Sequence, residues 1–115
     1  MKKTKQSVSG TSYHGDTVRA TLLDMYAILG QPTDRNGDKT TYEWHMETES
    51  GHVFTVYDWK EYRQFGPNER IEWHIGGHTG AVTAEAMYKI ADLRNALERM
   101  SSDMRDLVSG QIELI

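Results

Sequence analysis

Two short segments concentrate the aromatic, basic and glycine residues that bind flat, negatively charged molecules. They are Tyr57–Lys60 and Trp73–His78, and the β-rich patterns around them place them on neighbouring strands. Aromatic rings stack on other flat rings, while a Gly-Gly break before a helix lets backbone N–H groups face an anion. The two segments therefore predict one ligand site. Its expected members are Tyr57, Asp58, Trp59, Lys60, His74, Gly76, Gly77 and His78.

The residues of this site have different expected roles. Tyr57 and Trp59 stack on the ring of the ligand, and Lys60 and His78 supply positive charge. The backbone of Gly76–Gly77 binds the anion, because glycine adopts the conformations that turn N–H groups outward. A simpler alternative stays open, in which the glycines only turn the chain and the charged residues of the first segment form a solvated pair.

Metal binding finds less support. His74 and His78 are four residues apart, but they flank a predicted strand end and do not share a helix face. We therefore expect no metal site. A third ligand would have to come from His45, Glu72 or Asp58.

Catalytic motifs are also missing from the sequence. It has no nucleophile elbow, no Walker loop and no paired-histidine phosphoesterase motif. Glu43 and Glu47 fit solvated positions of a strand better than a catalytic carboxylate pair. We therefore expect a protein that is not an enzyme and that uses no cofactor.

Composition narrows the class of protein. The chain has 115 residues, 13 basic against 17 acidic side chains, a formal net charge of -4 and no cysteine. The length fits one domain spanning residues 1–115, and the lack of cysteine excludes disulfides and thiolate chemistry. Because duplex DNA binding is driven largely by counterion release onto Lys and Arg, the acidic balance argues against a duplex DNA partner.

The sequence contains no signal for export or for membrane insertion. Apolar runs are only a few residues long, and the basic segment Met1–Lys5 lacks the apolar stretch of a secretory signal. We therefore expect a cytoplasmic protein with no membrane partner.

Hydrophobic periodicity predicts an α+β fold with an N-terminal helix, a three-stranded antiparallel meander and a long C-terminal helix. Residues 1–12 lack periodicity and are expected to form a mobile arm. The first helix is predicted to begin near Asp16 or Thr17 and to end at Gly30, which suits a left-handed helix end. The segment from Thr33 to Thr40 is rich in turn-forming residues and predicts a loop.

The meander begins with a hairpin whose register depends on its turn. If Glu49–Gly51 forms a three-residue loop, Trp44 faces the same side as Phe54 and Val56, while Tyr57 faces the opposite side. A two-residue turn would exchange the faces of the second strand, so both registers stay open. The longer loop is favoured because it keeps one face apolar. The predicted strands are Thr41–Thr48, Val53–Lys60 and Arg70–Ile75, and Gly76–Gly77 ends the third.

The last predicted element is a helix that starts at Thr79 or Thr83 and runs to about Ser109. Its apolar residues follow the a/d spacing of a coiled coil, which also fits a helix packed on the sheet. If its far half forms a seam between copies, the protein is a homo-oligomer, and we expect one. The residues of this stripe are Ile90, Leu93, Leu97, Met100, Met104 and Leu107.

The sequence contains a set of short blocks between about residues 10 and 78. They are Leu29–Thr33, Gly37–Thr40, Glu43–Trp44, Gly51–Val53, Tyr57–Lys60 and Trp73–Gly77, with a lead-in at Gly10–Tyr13. These blocks resemble a family of small tailed-bacteriophage proteins, and the likeness is absent beyond Ala81. Ser50 departs from the acidic residue that is usual there, a change that a hairpin turn tolerates. The resemblance implies a phage accessory protein in an infected bacterial cytoplasm, where such proteins often counter host defences.

These observations lead to one expected function and one alternative. The expected function is non-catalytic binding of a phosphate-bearing, nucleotide-type signal, which the protein would sequester at the two segments described first. The alternative is a protein-protein inhibitor that occupies a basic site on a host protein. Its acidic surface would include Glu43, Glu47 and Glu49.

Overall fold

The computed structural model describes residues 1–35, 37, 39–61 and 64–100. They form six strands and two helices, which are β1 Lys2–Lys3, β2 Ser12–Thr21, α1 Leu22–Leu29, β3 Asp34–Arg35, β4 Tyr42–Glu47, β5 Val53–Asp58, β6 Arg70–Gly77 and α2 Gly80–Glu98. The strands make one antiparallel sheet in the order β1-β4-β5-β6-β2. The short strand β3 pairs with β4 as well, on the edge that also holds β1.

The first half of the predicted N-terminal helix is wrong, because its residues belong to the strand β2. Val18 and Ala20 point into the core at strand spacing, and Val18 lies opposite Trp73 on β6. Helix α1 begins only after Thr21, whose hydroxyl accepts from the Asp24 N–H while the Asp24 carboxylate accepts from the Thr21 N–H. This reciprocal cap stabilises a helix start at Leu22. The predicted helix end at Gly30 is confirmed.

The predicted three-stranded meander is the middle of a larger sheet. Strands β4, β5 and β6 are neighbours as expected, but β2 extends the sheet beyond β6 and the short strands extend it beyond β4. The expected mobile arm contains β1, and the expected loop at 33–40 contains β3. Both short strands satisfy backbone groups on the outer edge of β4, which would otherwise be open to pairing with another chain. The three-stranded prediction is therefore wrong, although the fold is broadly α+β.

The hairpin register favoured by the sequence is confirmed. Trp44 lies opposite Val56, and both are fully buried. The Thr48 N–H donates to the His52 carbonyl, which leaves three residues in the loop, and Gly51 has φ of +86° there. Glycine adopts this positive φ without strain, so the loop length and the faces of β5 agree.

Both helices pack against one face of the sheet and form a single core with it. Helix α2 is capped by the Thr79 hydroxyl, as one of the two predicted starts required, and it ends at Glu98. The predicted end near Ser109 lies outside the described residues. Neither α1 nor α2 covers the opposite face, which we call the open face. The largest fully buried side chains of the core are Trp44, Trp73, Phe54, Met25, Ile75 and Ile90.

The apolar stripe of the last helix begins inside the monomer. Ile90 is fully buried and Leu97 is buried, so the first part of the stripe packs on the core, while Leu93 is half-buried. Met100 is 40% exposed. Met104 and Leu107 lie outside the described residues, and the homo-oligomer stays a prediction. Neither helix of the described segments is long and apolar enough to cross a membrane.

Candidate functional site

Four aromatic rings meet on the open face of the sheet, around His74. The ring centroid of His74 lies 4.5 Å from that of Tyr13, 5.7 Å from that of Tyr57 and 6.4 Å from that of Trp59. The Tyr13 and Trp59 rings both lie nearly parallel to the imidazole, at interplanar angles of 27° and 29°. We call Tyr13, Tyr57, Trp59 and His74 the aromatic cluster. It brings together three of the residues predicted from sequence.

The sheet register positions these rings. Tyr57 on β5 lies directly opposite His74 on β6, and Tyr13 on β2 lies opposite Gly76, two residues further along β6. Trp59 follows the end of β5 and packs edge-to-face on Tyr57 at 6.0 Å. Three neighbouring strands therefore supply one aromatic surface, as pairing between adjacent strands allows.

Two of the four rings face solvent. Tyr13 is 47% exposed and Trp59 is 40% exposed, whereas Tyr57 and His74 are partly buried beneath them. Exposed rings of this size on a sheet surface are available for stacking with another flat ring. Burial raises the pKa of the Tyr57 hydroxyl, and the nearby Glu43 carboxylate raises it further. That hydroxyl is therefore protonated at neutral pH and can donate a hydrogen bond.

Two lysines lie at the Trp59 end of the cluster. The Nζ atoms of Lys39 and Lys60 are 5.7 Å and 5.4 Å from the centroid of the Trp59 ring. The Lys60 N–H donates to the Lys39 carbonyl at 2.9 Å, which holds the two residues side by side. Lys60 has φ of 55°, a left-handed conformation that a non-glycine residue adopts only at some cost. The chain therefore leaves β5 in a bend that places both ammonium groups over the ring of an exposed indole.

Asp58 was predicted as a ligand-binding residue, but it faces the core. Its side chain is fully buried, and its carboxylate accepts from the N–H groups of Thr41 at 2.9 Å and Tyr42 at 2.8 Å. Burial raises the pKa of this carboxyl, and the backbone hydrogen bonds offset part of the rise. Asp58 thus ties the segment before β4 to the end of β5 and offers no surface to a ligand.

The predicted backbone anion site at Gly76–Gly77 is also contradicted by the sheet. Both glycines belong to β6, which continues to Gly77 and lies between β5 and β2. Gly76 is opposite Thr55 on one side and Tyr13 on the other. Because a central strand uses its N–H and C=O groups in ladders on both sides, these amides are not free to bind an anion.

Close packing explains these two glycines. A Cβ atom on Gly76 would lie 2.6 Å from Thr55 Oγ1, and one on Gly77 would lie 2.9 Å from Thr83 Cγ2. Neither Gly76 nor Gly77 has a positive φ. These positions therefore need glycine because there is no space for a side chain, and not because of the backbone conformation. Thr83 is fully buried on α2, and the absence of a side chain at Gly77 lets the helix approach the sheet.

Gly77→Ala should therefore destabilise the fold. The added methyl group meets a buried threonine that cannot move away, and overpacking of this kind costs about 1–3 kcal/mol. Denaturant unfolding measures the change. Gly66→Ala is the matched control, because a Cβ there meets nothing within 4 Å. Equal stability of Gly77→Ala and the wild type would contradict the packing explanation.

His78 lies apart from the aromatic cluster. It is exposed, and its imidazole lies beside Gly10, where an added Cβ would be 3.4 Å from His78 Cε1. No ring contact described by the structure joins His78 to the cluster. Of the predicted cations, only Lys60 is placed at the aromatic surface.

Sequence reasoning missed Tyr13 and Lys39. Tyr13 follows the segment that was expected to be a mobile arm, and Lys39 lies in the expected loop at 33–40. The alternation of Val18 and Ala20 was the available signal for β2, since an extended strand through Tyr13 places that ring beside β6. The signal was weak because the same residues also fit helical spacing.

The acidic residues proposed for a protein interface are partly used within the chain. Glu43 accepts a hydrogen bond from His45, and Glu47 accepts one from Gln6 at 3.3 Å. Glu49 is exposed in the hairpin loop. Two of the three carboxylates are thus paired on the open face, which weakens the case for an unoccupied acidic surface.

Comparison with known proteins finds no matching family model, no similar curated protein and no similar solved structure. The likeness to phage proteins therefore remains a resemblance of short motifs. The comparisons also give no positive indication of catalysis.

Proposed function

We propose that this protein is a non-catalytic binder of a phosphate-bearing, nucleotide-type small molecule, which it holds on the open face. The observation that carries the proposal is an aromatic surface with two exposed rings and two adjoining ammonium groups, those of Lys39 and Lys60. A base that stacks on Trp59 takes the place of the ammonium groups over the ring, and an attached phosphate is then close to either lysine. Such ligands combine a flat ring with negative charge, and this surface offers a partner to each part.

The relative strengths of the interactions favour a ring-containing ligand over a simple anion. Stacking of a base on an aromatic side chain contributes about 1–3 kcal/mol. Exposed charge pairs contribute only about 0–1 kcal/mol, and Glu72, 3.7 Å from His74, opposes an anion by a similar amount. The ring therefore supplies most of the affinity, and the lysines select for phosphate.

The wider role in the proposal comes from the resemblance to phage proteins. A protein that binds a nucleotide signal without consuming it lowers the free concentration of that signal. We propose that this chain acts in that way as an accessory protein in the cytoplasm of an infected bacterium, against a nucleotide-based host defence. The formation of a homo-oligomer belongs to the same proposal.

Calorimetric titration tests the binding step directly. The ligand panel contains a mononucleotide, a cyclic dinucleotide, a cyclic trinucleotide, ADP-ribose and the matching nucleosides, all at low salt. We expect at least one phosphate-bearing member to bind, and to bind more tightly than its nucleoside. The same ligand should raise the melting temperature, because a ligand at 100 times its Kd adds about 2.7 kcal/mol to the stability of the folded state.

Two variants separate the ring from the charge. Trp59→Ala should weaken binding about 5- to 150-fold, which corresponds to the loss of one stacked base. Lys60→Gln removes charge and should weaken phosphate-bearing ligands more than nucleosides. Tyr88→Ala and Lys89→Ala are the controls, since both residues are exposed on α2 and belong to the other side of the sheet. Both controls should bind as the wild type does.

The protein-inhibitor alternative predicts a different pattern. No member of the panel would bind, a host protein would co-purify with the chain, and Glu47→Lys would abolish activity in an infection assay while Lys60→Gln kept it. That set of results would replace the proposal by the alternative.

A further inference from the structure

A second polar group lies on the open face, at the edge of the sheet beyond the aromatic cluster. Asp34 on β3 is directly opposite Glu43 on β4, and His45 follows two residues later on the same face of β4. We call these three residues the carboxylate–histidine cluster. Sequence reasoning named His45 as a possible third metal ligand beside other residues, but it did not connect His45 with Asp34.

The three side chains converge on one point. His45 Nε2 lies 2.5 Å from Glu43 Oε2 and 3.5 Å from Asp34 Oδ2, and one donor atom from each residue lies within 4.8 Å of the others. Donor atoms bound to one tetrahedral zinc ion, with bonds of about 2.0–2.2 Å, are roughly 3.4 Å apart. The Asp34 contact already has that spacing, and Glu43 needs to withdraw by roughly 1 Å. A single ion can therefore reach all three.

The backbone around the cluster is well anchored. The Thr33 N–H donates to the Glu43 carbonyl at 2.8 Å, and the Thr33 hydroxyl accepts from the His45 N–H at 2.9 Å. On the other side, the Thr4 N–H donates to the His45 carbonyl at 3.1 Å. Sites built on paired strands hold ligand geometry better than sites on loops. The donor atoms are accessible as well, since the exposed side-chain fractions are 19% for His45, 28% for Glu43 and 66% for Asp34.

We propose that Asp34, Glu43 and His45 bind a divalent cation of the zinc class. One imidazole and two carboxylates are ligands that zinc accepts, and three protein ligands leave a fourth position for water or for a group of a bound molecule. The site does not require the proposed nucleotide function. The metal site lies next to the aromatic cluster, because Glu43 is opposite Tyr57 in the sheet register.

Zinc titration of the chelator-treated full chain, followed by calorimetry, tests this site with the metal alone. We expect one equivalent of zinc per chain. His45→Gln and Asp34→Asn should each weaken zinc binding at least about tenfold, since even residues that only orient metal ligands change affinity by about 10- to 100-fold. His52→Gln is the matched control, because His52 is an exposed histidine that follows the hairpin loop, and this variant should bind zinc as the wild type does.

Three results would overturn the proposal: no zinc binding by the wild type, unchanged affinity in both variants, or an equal loss in His52→Gln. Each would mean that the cluster is only an ion pair between a histidine and two carboxylates. The Asp34 side chain is mostly exposed, so Asp34→Asn is expected to fold, and circular dichroism can verify that it does. A loss of zinc binding in this variant therefore reports on the site and not on unfolding. Zinc binding with no nucleotide binding would contradict the proposed function and support the metal site. Nucleotide binding with no zinc binding would contradict the metal site and support the proposed function.

Discussion

Trp73→Ala is expected to lower the free energy of unfolding by about 3–5 kcal/mol, as large aromatic truncations in packed cores do. The indole is fully buried, lies edge-to-face on Trp44 at 5.5 Å and on Phe65 at 6.1 Å, and donates from Nε1 to the Ala20 carbonyl at 3.0 Å. The substitution therefore leaves a cavity in the core and removes a hydrogen bond to the Ala20 carbonyl on β2. Urea or guanidinium unfolding of the purified variant measures the loss.

Trp59→Ala is the matched comparison, since it removes the same side chain from the open face. Trp59 is 40% exposed, so its removal should cost much less than the removal of Trp73. A larger loss for Trp59→Ala than for Trp73→Ala would mean that the faces of β5 and β6 are assigned the wrong way round. Both proposals that place a site on the open face would then fail as well.

Asp58→Ala is expected to lower the free energy of unfolding by about 2–4 kcal/mol. Hydrogen bonds to a charged group contribute about 1.5–3 kcal/mol, and a buried donor left without a partner costs about 1–3 kcal/mol. The variant leaves two such donors, the N–H groups of Thr41 and Tyr42. Asp92→Ala, which removes an exposed carboxylate from α2, should stay within about 0.5 kcal/mol of the wild type. A neutral Asp58→Ala would show that these bonds do not hold the strand ends together.

The pH dependence of stability gives an independent check on Asp58. Burial raises the pKa of its carboxyl in the folded protein, so the folded state keeps this proton to a higher pH than the unfolded chain does. The contribution of the group is fully present below the ordinary aspartate pKa of about 3.9 and is lost as the pH rises through the folded-state pKa. Asp58→Asn does not titrate. The stability of the wild type relative to Asp58→Asn should therefore fall with rising pH in that window, and a rise would contradict the assigned direction.

The two proposed sites lie side by side on the open face, which neither α1 nor α2 covers. The aromatic cluster occupies β2, β6 and the end of β5, and the carboxylate–histidine cluster occupies β3 and β4. Glu43 and Tyr57 are neighbours across the boundary. A zinc ion at Glu43 would add positive charge beside a surface that is proposed to bind phosphate, so nucleotide titrations with and without zinc are expected to differ.

Alternation along β4, β5 and β6 could be read from the sequence with good accuracy. Tyr42, Trp44 and Met46 face one side as predicted, and the loop with Gly51 selected the predicted register. Such features depend on neighbours a few residues away, and a strand has only two faces. Trp59, two residues after Tyr57, is exposed, as the same alternation requires.

Features that depend on distant strands could not be read in this way. Gly76–Gly77 fits a chain break as well as a central strand that must approach Thr55 and Thr83, and only the pairing on both sides distinguishes them. The exposed neighbours of Asp58 in the sequence suggested a surface position for its side chain. Its burial could not be foreseen, because its partners Thr41 and Tyr42 lie at the start of a different strand.

The amino-acid sequence alone was sufficient for the hairpin, for its inward Trp44 and for the ring-rich character of Tyr57–Lys60. It limited the start of α2 to Thr79 or Thr83. The tertiary structure decided that Val18 belongs to a strand, that Tyr13 stacks on His74 at 4.5 Å, and that Asp34 meets His45. The physical reason is range. Periodicity and turn chemistry act over a few residues. Tyr13 and His74 are far apart in the sequence, and their side chains meet only because β2 pairs with β6.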